Sequence, residues 1–424
     1  MKRLLLRLRE YTRRFWFIPT VMTVVSLLLA HQGISLEERW GVPDWLEFVY
    51  GGGEAGARSV LMAVAGSAIG VAGTVFSITI AALSFAAGTM GPRLLDNFTR
   101  DRGNQVTLGV FIATFAFSLY SLRVVRGVDE QPFVPHYNVT AALLLALAST
   151  AALVYFIFHV TSTINITHVI NLLRDDLAVS LDRLTWKEPR TRHQPPPLAF
   201  WANAEEIQAP FGGYLQLVDV SAVVQWATEH QVSVRLLVRP GDYIFPNTVI
   251  ACAVPTLPPD LLRFLAVGRY RTTDQDAEYA VRQLADVAVR ALSPGVNDPV
   301  TAIDILDRFG DALCRLQGRT WPDGVHYGDD AQLRLVHPVT DFAGLTDGMF
   351  HMIRQYGKGS PAVMLRLLEV ITAAAGCLHG AVELSELTRH ADLAYHDALA
   401  NTANPADRAD LQERYRRFHV VVAR

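Results

Sequence analysis

Four long apolar stretches, at residues 15–30, 59–87, 106–125 and 138–164, fill the first 165 positions of the chain, and no comparable stretch follows. Each is near or above the ~20 residues that carry a helix across a bilayer core. Backbone polar groups inside a bilayer have no water to pair with, so stretches of this kind fold as helices. Residues 60–85 and 139–158 contain no Asp, Glu, Lys or Arg, a pattern foreign to a helix with one solvated face. The expected architecture is an α-helical polytopic membrane domain of four transmembrane helices, joined to an α+β domain in the remaining 260 or so residues.

Charge sets the orientation. Lys2, Arg3, Arg7, Arg9, Arg13 and Arg14 stand against Glu10 before the first stretch, whereas Glu37, Glu38, Asp44, Glu47 and Glu54 outnumber Arg39 and Arg58 after it. Basic segments stay in the cytoplasm, so the amino terminus is expected there. Four crossings return the chain to the same side and make both termini cytoplasmic. Cys252, Cys314 and Cys377 form no CxxC pair, so neither a disulfide framework nor a zinc knuckle is expected. Reduced, unpaired cysteines suit that compartment. The net charge of −3 says little about nucleic acid, but no basic stripe interleaved with aromatics is present, so no nucleic-acid partner is expected; the lipid bilayer is the expected one.

Residues 1–14 read as a basic interfacial helix, with Leu4, Leu8, Tyr11 and Phe15 on one face and Arg3, Arg7 and Arg14 on another. It leads into a retained anchor rather than a cleaved signal, since Leu28-Leu29-Ala30 lacks the small residue that cleavage needs. After the four-span domain of residues 15–165, residues 166–200 predict a stalk, in which the fourth helix continues without a break to about Leu184, and a linker holding Pro189, Pro195, Pro196 and Pro197. Residues 201–256 predict a small β-rich module with strands at 214–220, 232–238 and 248–254. Its Arg239-Pro240-Gly241-Asp242 turn resembles that of lipoyl-type domains. No lysine lies between Lys187 and Lys358 to carry a cofactor, so no cofactor is expected. Residues 257–424 predict helices at 274–292, 299–317, 342–356, 361–376, 381–399 and 405–418, with a short strand pair near 332–338. Between the first two helices, Ser293-Pro294-Gly295-Val296-Asn297-Asp298-Pro299 supplies a stop, a cap and a first-turn proline.

Four groups of residues are candidates for function. In the second stretch Gly66, Gly70, Gly73, Ser77, Ala81, Ser84 and Gly88 fall within an arc of roughly 80° on a helical projection, a seam for close helix packing or the wall of a pore. Beyond its cytoplasmic end, Arg93, Arg100 and Arg102 are either ordinary inside charges or a ring at a pore mouth that favours anions. Arg269, Arg271, Asp276, Asn297 and Asp298 gather polar groups around the ends of a helix, as a ligand site does; capping and intrahelical ion pairs explain the same residues without a ligand. His379, Glu383, Glu386 and His390, spaced four, three and four apart, share one helical face, a chelating arrangement or a solvated stripe. Walker, dinucleotide, zincin and nucleophile-elbow patterns are absent.

Phe76-Ser77-Ile78-Thr79-Ile80 through Pro92-Arg93-Leu94-Leu95, then Arg100-Asp101-Arg102-Gly103-Asn104-Gln105, and later Arg290-Ala291-Leu292-Ser293-Pro294-Gly295-Val296-Asn297-Asp298-Pro299, resemble the bacterial predicted membrane protein family catalogued as domain of unknown function 2254. The resemblance covers nearly the whole chain and implies a bacterial inner-membrane protein, but brings no activity with it. The residues themselves favour a homo-oligomeric ion channel or permeation protein, passing an inorganic ion and gated by its cytoplasmic domain. A membrane-anchored sensor or scaffold is the alternative, and a metal-dependent enzyme stands third.

Overall fold

The computed structural model describes residues 15–41, 48–90, 101–126, 133–163, 165–256 and 260–424. It divides into two compact units, residues 1–169 and 170–424. Four helices in the first are long and apolar enough to cross a membrane: α1 (Phe17–Trp40), α2 (Glu54–Met90), α3 (Arg102–Leu122) and α4 (His136–Thr163). Helix α1 outruns its apolar stretch by ten residues, because Ala30, Ile34 and Glu37 continue one buried face. Helix α3 packs against each of the other three. At Gly109 a side chain would stand 3.3 Å from the Pro19 backbone, so glycine there lets α1 and α3 close together.

Polar side chains lie inside this unit. Asn138 donates to the Ala30 carbonyl (2.9 Å) and to Ser121 Oγ (2.8 Å), and Thr114 pairs with Ser149 at 3.1 Å. The Glu37 carboxylate accepts from the backbone N–H groups of His136 (2.8 Å) and Tyr137 (3.0 Å), satisfying donors that α4 leaves open at its first turn. Asp101 caps α3 through Gly103 N and also meets His159 Nε2 at 2.6 Å. The outside is apolar, with Leu143, Leu144, Leu147, Val154, Ile157 and Phe158 of α4 exposed.

The expected unbroken stalk is corrected. Helix α4 ends at Thr163 and α5 (Ile166–Leu184) starts afresh, the Asn165 side chain accepting from Thr167 N at its first turn. Ile170, Leu173, Leu177 and Leu181 of α5 are buried. Its end is tied into the second unit by a Trp186–Thr320 bridge and by an Asp182–Arg319 ion pair.

That unit has a sheet region and a helical region. One sheet runs β1-β5-β3-β8-β7 and the other β4-β2-β6, formed by β1 (Glu205–Gln208), β2 (Gly213–Val218), β3 (Ser233–Leu236), β4 (Tyr243–Ile244), β5 (Val249–Val254), β6 (Leu265–Gly268), β7 (Val325–Tyr327) and β8 (Leu333–Val336). Strands β3 and β8 pair in parallel and the other pairs are antiparallel. A short helix α6 (Val220–Glu229) lies between β2 and β3, and its Val223 and Trp226 join Leu215, Leu236, Ile250 and Leu335 in one core. The β region is therefore not confined to residues 201–256: pairing with β8 draws the chain beyond residue 330 into its sheet.

Six helices complete the unit: α7 (Ala277–Ala291), α8 (Pro299–Cys314), α9 (Phe342–Gly357), α10 (Pro361–Cys377), α11 (Ala381–Asn401) and α12 (Pro405–Val422). They bury Leu284, Ile305, Phe309, Leu345, Phe350, Leu367 and Ile371, each such side chain worth roughly 1.5–3 kcal/mol of transfer free energy. A second correction concerns the cysteines. Cys314 and Cys377 are joined in a disulfide, their Cα atoms 5.3 Å apart, and Cys252 is the buried free thiol. The bond links α8 to α10, so cysteine chemistry no longer supports a cytoplasmic placement, and orientation rests on the flanking charges alone.

Candidate functional site

In the membrane unit the stripe on α2 has a definite position. Ala57, Leu61, Ala65, Ala68, Ala72 and Val75 form the buried face of the helix, and Ala72 and Val75 pack with Phe111 of α3. Gly66, Gly70, Gly73, Ser77, Ala81, Ser84 and Gly88 are all exposed, about 180° around the helix from that face at 100° per residue. A Cβ added at Gly66, Gly70 or Gly73 would meet nothing within 4 Å. Thr74 and Ser77 donate their hydroxyl protons to the Gly70 and Gly73 carbonyls one turn back, so neither requires a partner outside the helix. Arg102 is exposed in the first turn of α3, while Arg93 and Arg100 lie outside the described residues.

The proposed ligand residues of the second unit do not assemble. Asp276 and Asp298 stand at the amino-terminal caps of α7 and α8, so the 15 residues of α7 put roughly 22 Å between them. Asp276 is paired with Arg271 and accepts from Tyr279 N; burial raises its pKa against the lowering effect of Arg271. The Arg239-Pro240-Gly241-Asp242 turn closes over this pair, where a Cβ at Gly241 (φ +99°) would lie 2.9 Å from Arg271 Nη2. Asp298 accepts from Thr301 N (3.2 Å) and Thr301 Oγ1 (2.6 Å), and Asn297 turns the chain at φ 50°. Arg269 is exposed. Capping accounts for Asp276 and Asp298, and ion pairing for Arg271.

The four residues of the His379 set do not converge either. His379 is exposed before α11 begins, Glu383 is half-buried, and Glu386 accepts from Arg389 Nε at 2.8 Å. His390 faces inward, 1% exposed, toward Asp347 and His351 of α9. Among the described residues these three bring one ligand atom each to within 4.8 Å of one another. His351 Nε2 lies 2.8 Å and His390 Nε2 3.2 Å from Asp347 Oδ1, and Arg389 Nη2 meets the same oxygen. Burial, reinforced by the charges of Arg389 and His351, pushes His390 down to about 3, which leaves its ring neutral near pH 7. Burial would raise Asp347, but the Arg389 hydrogen bond and the neighbouring positive groups hold it below the usual carboxylate range. The sequence signal for this trio is Asp347-x3-His351, a spacing that puts two donors on one helical face; the third comes from a different helix and needs the tertiary fold.

A sequence model of the family described as "Predicted membrane protein (DUF2254)" matches residues 12–373. Curated relatives include the uncharacterized protein MT1328 of Mycobacterium tuberculosis (strain CDC 1551 / Oshkosh) and the uncharacterized protein Mb1321c of Mycobacterium bovis. Each is 33% identical over 420 residues, covering 93% of this chain and 78% of the relative. No solved structure matches.

Proposed function

The chain belongs to the DUF2254 family of predicted membrane proteins, and we propose that it is the subunit of a homo-oligomeric permeation protein in the bacterial inner membrane, with both termini cytoplasmic. The observation that carries this reading is the small-residue face of α2, turned directly away from its own bundle. A face meant only for lipid is well served by Leu and Phe, as α4 presents them. Small residues instead let helix backbones approach, and around a symmetry axis they leave room for water and offer Ser77 and Ser84 to it. Arg102, together with Arg93 and Arg100, would give the inner mouth a preference for anions.

Reconstituted protein is expected to pass current whose reversal potential in a salt gradient favours the anion, and Arg102→Glu shifts that potential toward cations. Gly70→Leu or Gly73→Leu should break the oligomer in crosslinking or mass measurements, whereas Ile78→Leu, on the lipid-facing flank, should not. Assembled protein that passes no ion under voltage, stretch or pH change would sink the reading. Labelling from outside intact cells at a cysteine placed at Ser360 would reverse the orientation.

A second reading, a membrane-anchored sensor, is favoured by the convergence of Asp347, His351 and His390. We read neither form as an enzyme and assign no catalytic side chain.

A further inference from the structure

Helix α9 sets Asp347 and His351 one turn apart, and α11 brings His390 over them. The three donors are a carboxylate oxygen and two imidazole nitrogens, a mixture that suits zinc and its first-row neighbours better than magnesium or calcium, which take oxygen almost throughout. We propose that Asp347, His351 and His390 bind one divalent transition-metal ion of the zinc class, which braces α9 against α11.

Geometry supports the assignment. A tetrahedral ion with bonds of about 2.0–2.1 Å holds its ligand atoms about 3.4 Å apart. The two Asp347–histidine separations are 2.8 and 3.2 Å, so an ion needs a widening of about 0.6 Å at one and about 0.2 Å at the other. The site is open on one side: Asp347 and His351 keep 42% and 32% of their side-chain surface exposed, which gives the ion an entry path and leaves a coordination position for water. The other side is closed by the buried His390, whose ring packs edge-on to Phe350.

Arg389 also reaches this cluster. Its Nη2 lies on Asp347 Oδ1 and 3.3 Å from His390 Nε2. A guanidinium has only donors, so this group stands where a cation would be attracted. It can leave without losing all pairing, because its Nε also donates to Glu386 at 2.8 Å. Metal binding then replaces the single charge of the guanidinium at the carboxylate by a divalent ion, with Arg389 retained by Glu386. The assignment is independent of permeation through α2.

The test is zinc titration of the full-length protein in detergent, after removal of metal with a chelator and dialysis, read by calorimetry and by the thermal midpoint. One zinc per chain is expected. Asp347→Asn and His351→Gln, both at partly exposed positions, should each weaken binding by at least about 100-fold, beyond the loss typical of an outer-shell partner. Arg389→Gln should bind at least as tightly as the parent. Cobalt in place of zinc should show the visible absorption of a tetrahedral nitrogen–oxygen site without thiolate charge transfer, which separates this site from Cys252. No zinc bound to the parent, equal binding by Asp347→Asn, lost binding in Arg389→Gln or a thiolate signature would each overturn the assignment.

Discussion

The two units of the chain differ in what they leave outside. In the membrane unit the interior holds Thr114, Ser118, Ser121, Asn138 and Glu37, while Leu144, Leu147, Val154 and Phe158 point outward. In the second unit Phe309, Phe350, Ile353 and Leu367 are inside, and charged pairs such as Arg366–Asp307 and Arg416–Glu413 lie toward the surface. The same physics gives both outcomes. In water, burying apolar area is the main driving force; in lipid the outside is already apolar, so close contact and hydrogen bonds must hold helices together.

The comparison can be broken most forcefully at a buried ring. Phe309→Ala should cost the second unit roughly 3–5 kcal/mol, read as a lower thermal midpoint, whereas Phe158→Ala, 74% exposed on α4, should leave the protein in micelles almost unchanged. Equal losses would mean that the outer face of α4 is packed against protein. Next in size is the Cys314–Cys377 bond, whose 63-residue separation corresponds to about 4 kcal/mol of chain entropy. Alkylation of the denatured, unreduced chain should find one reactive thiol, Cys252; three reactive thiols would remove the bond and restore the reduced state expected of a cytoplasmic unit.

One pH dependence belongs to the second unit. His337 is pushed down to about 4, chiefly by burial and then by the charge of His326, with Asp323 and the Pro338 carbonyl acting the other way. Its Nε2 lies 3.0 Å from His326 Nε2; His193, on Asp323, lowers His326 as well. Because the unfolded chain takes up this proton near 6.5 and the folded chain does not, the contribution is intact above pH 6.5 and is lost as pH falls toward 4. His337→Gln should flatten that part of the unfolding profile, and an unchanged slope would assign it elsewhere. The smallest effect is expected inside the membrane unit, where Asn138→Ala should cost about 1 kcal/mol, the scale measured for hydrogen bonds between membrane helices. A loss as large as that of Phe309 would show Asn138 to be a structural centre of the bundle rather than one of several polar contacts.

The spans were legible because a bilayer imposes length and composition on contiguous residues, and Ser77 and Val75 could be set on opposite faces by period alone. The cap before α8 was legible for a similar reason: Asp298 sits just before the helix and accepts from its first turn. What could not be read depended on distance in sequence. The break at Asn165 was hidden because polar and apolar residues keep a helical rhythm across it.

The four membrane spans, the helical content that follows and the small-residue face of α2 could be read from local pattern, since each depends on neighbours within a few turns. Only the tertiary structure decided that this face points away from its own bundle, that β3 pairs with β8 a hundred residues away, that Cys314 meets Cys377, and that His390 leaves His379 and Glu383 for Asp347 and His351. Those are contacts between segments far apart in the chain, and they form because burial and hydrogen bonding select one packing among the many that local pattern allows.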